Sequence, residues 1–79
     1  MTKIGYRKRR DEAAINKVGQ NIRKFRKLKN LTISELAFLM SVDPKQVSKM
    51  ELGITDSNIT MLTLVSHHLN IQPSRLFED

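Results

Sequence analysis

Seventy-nine residues, no cysteine and a formal net charge of +6 set narrow bounds on this chain. The length suits one domain near the lower limit for unaided folding and leaves little room for a substrate pocket, so an enzyme is not expected. Without cysteine there is no disulfide framework and no thiolate metal site, which fits a cytoplasmic protein, and no apolar run approaches the roughly 18–20 residues that span a membrane.

The first ten residues read as a basic arm. Gly5 breaks it, and the run RKRR at 7–10 repels itself. No apolar core follows that would make it a signal peptide. Residues 1–29 hold eleven Lys and Arg against two acids, a net of +9, whereas residues 30–79 hold three against six, a net of −3. A basic third of this kind points first to a polyanionic partner, nucleic acid before an acidic membrane surface.

Asp11 and Glu12 suit a helix start, where the helix dipole favours acids. Ile15, Val18, Ile22 and Phe25 then recur at i, i+3, i+7 and i+10, the apolar stripe of an amphipathic helix reaching about Lys29. Gly19 weakens that helix by about 1 kcal/mol relative to alanine, which argues for a start nearer Asn16. The expected division is therefore an arm or helix extension over residues 1–15 and a folded domain over 16–79. Asn30 is a plausible left-handed stop.

Thr32 and Glu35 form a capping-box pattern for a second helix, with Leu36, Ala37 and Met40 on its inner face. Ser41, Val42 and Asp43 interrupt it. Asp43 before Pro44 reads as an N-cap followed by the first position of a third helix. That helix buries only Val47 and Met50, leaving Lys45, Gln46, Ser48 and Lys49 free to face outward. Two short helices with a three-residue connection must cross steeply, as in a helix-turn-helix. A short helix with a polar outer face is the right size to enter a DNA major groove.

Gly53 marks the stop of the third helix, and Ser57 or Asn58 caps a fourth with Ile59, Leu62, Val65 and Leu69 inside. Pro73 starts a closing fifth helix that places Leu76 and Phe77 against the rest. The expected fold is all-α, a compact five-helix bundle. A second stripe of Met61, Leu64 and His68, with Phe77, is either core lining or a self-association surface, and the latter favours a homodimer. His67 and His68 are sequence neighbours and point about 100° apart on a helix, so they do not chelate one ion together. Neither a metal site nor a cofactor is expected.

From Val18 to Glu78 the chain resembles the phage-repressor and Cro type of helix-turn-helix family, often called XRE-like. The resemblance rests on Val18-Gly19-Gln20-Asn21-Ile22 with Arg26, Leu31-Thr32, Glu35-Leu36-Ala37, Val42, Val47-Ser48, Glu51 and Gly53. Ile59, Leu62, Leu69, Ile71 and Leu76-Phe77 complete it. It implies a sequence-specific DNA-binding regulator, a repressor by expectation, reading a pseudo-palindromic site in double-stranded DNA. Lys45, Gln46 and Lys49 are then the base-reading residues. Thr32, Ser48, Arg7, Arg9, Arg10 and Lys17 are candidates for the DNA backbone, and Arg26 with Glu51 for a structural bridge. The departures are Ser41 in place of a turn glycine, Ile33 in place of an amide, and Leu52, Ile54, Asp56 and Ser57 near positions that often meet phosphates. These departures support the alternative, a protein-interaction module that keeps the fold without specific DNA binding.

Overall fold

A computed structural model describes residues 10–79. Four α-helices follow in order: α1 (Glu12–Leu28), α2 (Ile33–Met40), α3 (Pro44–Glu51) and α4 (Ile59–Leu69). The segment Pro73–Phe77 closes the chain as a 3₁₀ turn rather than a fifth α-helix. The expected five-helix count is corrected on this point. Five residues make barely one turn, too short a run for a set of i→i+4 bonds, and the tighter 3₁₀ bond from Arg75 N–H to the Gln72 carbonyl forms instead.

The first helix also starts earlier than Asn16. The Asp11 side chain accepts from the Ala14 N–H at 3.0 Å, and Ile15 is buried. This cap and this burial outweigh the propensity cost of Gly19. Residues 12–15 are thus continuous with the rest of α1.

The other starts follow the local sequence. Thr32 and Glu35 exchange both bonds of a capping box, at 3.0 and 2.8 Å. Asp43 Oδ1 accepts from Lys45 N–H at 2.8 Å, and Asn58, rather than Ser57, caps α4 through the Met61 N–H. Each of the four α-helices ends beside a left-handed residue: Asn30, Ser41, Gly53 and Asn70. After each, the chain bonds back across the last turn, as in Leu31 N–H to Arg26 O and Val42 N–H to Ala37 O. Ser41 has φ +58°, a region usually left to glycine or asparagine, so the helix-turn-helix corner is strained at that residue.

The core is one cluster. Ile22, Leu36, Ala37, Val47, Val65, Leu69 and Leu76 are completely inaccessible, and Val18, Phe25, Met40 and Met50 nearly so. Asn21 joins the C-terminal segment to α1: its buried amide donates to the carbonyls of Leu76 and Glu78, both at 2.8 Å.

Candidate nucleic-acid interface

The helix-turn-helix is set on α1 at one close approach. A Cβ built on Gly19 would lie 2.5 Å from the Met50 carbonyl oxygen and 2.6 Å from that of Glu51. Only glycine lets the last turn of α3 rest on α1. Next to this contact Arg26 and Glu51 meet in a two-pronged ion pair. Arg26 Nε donates to Glu51 Oε2 at 2.6 Å and Nη2 to Oε1 at 3.0 Å, while Nη1 donates to the Leu31 carbonyl at 2.9 Å. Both side chains are nearly fully buried. The hydrogen bonds to Glu51 raise the Arg26 guanidinium above its ordinary value despite the burial. The bridge ties α1, the start of the α2 cap and the end of α3 into one unit.

That unit presents α3. Val47 and Met50 point inward, whereas Lys45 and Lys49 are exposed on the outer side. Gln46 is half-buried, and its Nε2 lies 3.9 Å from the Met61 sulfur, so it is drawn toward α4. Thr32 is exposed with its hydroxyl oxygen occupied by the Glu35 N–H, and Ser48 is half-buried on the flank of α3.

The remaining basic candidates separate. Arg7 and Arg9 lie outside the described residues. Arg10 is held by Glu12, with Nε to Oε2 at 2.9 Å, and it also donates to the carbonyls of Gly53 and Ile54 at 3.3 and 3.2 Å. It fastens the start of α1 to the loop after α3. Lys17 is paired with the Asp79 carboxylate, and the lysine holds that carboxyl below its ordinary value. Asn21, one turn further along α1, bonds the same C-terminal segment, so this flank of α1 is taken up by the chain end.

Met61 and Leu64 pack against the core, and Met61 touches Gln46. Phe77, about half exposed, borders a separate hollow with Ile15, Thr55 and Leu62. The rings of His67 and His68 meet edge to face, 5.0 Å between centroids.

Two features here escape the sequence reading. Gly19 counts as a helix weakness by propensity, and only its place opposite the α3 carbonyls reveals its role. Arg10 belongs to the basic run by sequence, and Glu12, two residues on, was the available sign of local pairing.

Comparison with known proteins agrees with this architecture. The helix-turn-helix family model HTH_3 matches residues 22–76. An uncharacterized HTH-type transcriptional regulator of Sinorhizobium fredii is 33% identical over 72 residues, covering 91% of this chain and 50% of that protein. The chain thus spans about half the length of the curated relative it matches. The restriction–modification controller protein C.AhdI from Aeromonas hydrophila superposes with a TM-score of 0.78 at 32% identity, over 82% of this chain and 98% of that one. The clp gene regulator ClgR from Corynebacterium glutamicum gives 0.76 at 28% identity, over 80% of this chain and 82% of that one. With the capping box, the three-residue corner and the Arg26–Glu51 bridge in place, the chain belongs to the XRE-like helix-turn-helix family HTH_3, a family of transcriptional regulators.

Proposed function

We propose that this protein is a sequence-specific DNA-binding transcriptional regulator, a repressor, that reads a pseudo-palindromic operator through α3. The observation that carries the reading is the two-sidedness of α3: Val47 and Met50 are buried while Lys45 and Lys49 are exposed on a helix locked to α1 by Gly19 and the Arg26–Glu51 bridge. Lys45 and Lys49 reach guanine O6 and N7, and Gln46 an adenine edge once it leaves the Met61 sulfur. Thr32 and Ser48 flank the helix toward the phosphates. The likeness to C.AhdI, a restriction–modification controller protein, supports the regulator reading. A twofold dimer presenting two copies of α3 fits such a site, with the outer side of α4 around Leu64 and His68 as the contact.

The arm over residues 3–9 supplies sequence-independent affinity. Its lysines and arginines stand in for the loop after α3, where Leu52 and Ile54 are exposed and Asp56 is acidic. Those same exposed apolar residues favour the second reading, a protein-interaction module. A gel-shift titration against genomic fragments at low and moderate salt separates the two. A shifted, competitor-resistant complex supports the regulator, and no complex at any salt supports the module.

A further inference from the structure

We propose that Met61 of α4 is a positioning residue for base recognition: its sulfur holds the Gln46 amide back and so sets how strongly α3 prefers adenine at one base pair. The inference rests on the reading of α3 as the recognition helix and adds a determinant that lies outside the helix-turn-helix. Gln46 Nε2 donates to Met61 Sδ at 3.9 Å. Both partners stand on capped helix ends. Gln46 is the third residue of α3, and its N–H donates to the Asp43 carbonyl at 2.8 Å. Met61 is the third residue of α4, and its N–H donates to Asn58 Oδ1 at 2.8 Å. The caps fix both backbones, so the meeting of the two side chains is set by the fold.

Gln46 is half-buried, whereas Lys45 and Lys49 on the same helix are exposed. Its bond to Met61 is the one side-chain hydrogen bond between α3 and α4 among the described residues. A thioether is a weak acceptor and offers the amide a single bond. Adenine offers two, N7 as acceptor and N6 as donor. Facing adenine, the amide therefore leaves the sulfur. Facing any other base, it stays on Met61 and is not left unpaired. A site rejects a wrong partner mainly through polar groups that lose their bonds, so a standing alternative partner weakens the rejection. Met61 thus softens selection at the base pair that Gln46 meets and leaves untouched the pairs met by Lys45 and Lys49.

The test is a double-mutant cycle on Gln46 and Met61. It reads the affinity ratio among duplexes that carry each of the four base pairs at the position whose preference Gln46→Ala loses. Met61→Leu conserves apolar volume and removes the acceptor. It should sharpen the adenine preference by about two- to threefold, the scale of one weak hydrogen bond. Preferences at the Lys45 and Lys49 positions should not move. In the Gln46→Ala background the same substitution should change nothing, an outcome that a purely structural Met61 does not predict. In the free protein, Met61→Leu should shift the Gln46 side-chain amide resonances toward those of a solvated glutamine. A Met61→Leu variant with the parent's adenine ratio or with unmoved amide resonances overturns the positioning role and leaves DNA reading intact. So does an equal change in the Gln46→Ala background, or a Gln46→Ala variant that keeps every preference of the parent. A parent that selects no motif overturns the DNA-binding reading and the proposal together.

Discussion

Replacing Gly19 by alanine sets helix propensity against packing, and the two give opposite signs. Propensity alone makes Gly19→Ala stabilising by about 1 kcal/mol. The new Cβ, however, meets the Met50 and Glu51 carbonyl oxygens at 2.5 and 2.6 Å, where ordinary contact begins near 3.4 Å. Both obstacles are backbone, and Glu51 is also clamped to Arg26, so neither swings aside as a side chain would. α3 must retreat from α1 by nearly 1 Å, on the order of the deficit in those contacts. Overpacking of a tight core costs about 1–3 kcal/mol, and two rigid backbone atoms place this case at the upper end. After the propensity gain, about 2 kcal/mol of net destabilisation remains. In a domain of this size each kcal/mol moves Tm by about 4–8 °C, so a drop of about 8–16 °C is expected. Circular dichroism at 222 nm through a thermal ramp, repeated by urea titration, reads it directly. A variant melting at or above the parent's temperature would refute the close approach as the reason for this glycine.

Further outcomes follow from the same contacts. Glu51→Ala strands the buried Arg26 guanidinium and should cost about 3–5 kcal/mol, much of the stability of a small domain, measured by urea unfolding. Asn21→Ala leaves the Leu76 and Glu78 carbonyls without their donor and should cost about 1–3 kcal/mol, with faster amide exchange over residues 73–79. Removing residues 1–9, which carry four Lys and Arg, should weaken binding to all duplexes alike and flatten the salt slope by at most about 0.9 times four, with site preference retained. Arg10 is spared by that truncation, and Arg10→Ala should leave the salt slope nearly unchanged, because its guanidinium already serves Glu12, Gly53 and Ile54.

Local chemistry made much of the fold legible before any coordinates. The caps at Thr32 and Asp43 and the stops at Asn30 and Gly53 are short-range signals, each acting within a few residues of itself. The sequence sets the Asp11 cap aside for a start nearer Asn16, and it leaves Asn58 as one of two candidates for α4. The apolar stripe of α1 was equally plain, since Ile15, Val18, Ile22 and Phe25 all turn inward. What stayed hidden depends on contacts across the chain. Gly19 faces residues more than thirty positions away, and the partner of Lys17 is Asp79. The basic residues look alike in sequence, and only the fold shows Arg10 paired with Glu12 and Lys17 with Asp79. Periodicity likewise could not settle whether Met61 and Leu64 were core or surface, because half-buried positions flank the inner stripe of α4 on both sides.

The central claim is that α3 reads DNA sequence through Lys45 and Lys49, and selection from a random duplex library measures it most directly. The parent protein should enrich a pseudo-palindromic motif over repeated rounds. Lys45→Ala and Lys49→Ala should each lose about 1–3 kcal/mol on that motif and relax the preference at one base pair per half-site. A library that emerges without any enriched motif, or a motif that both variants bind with the parent's affinity and preference, would contradict the claim.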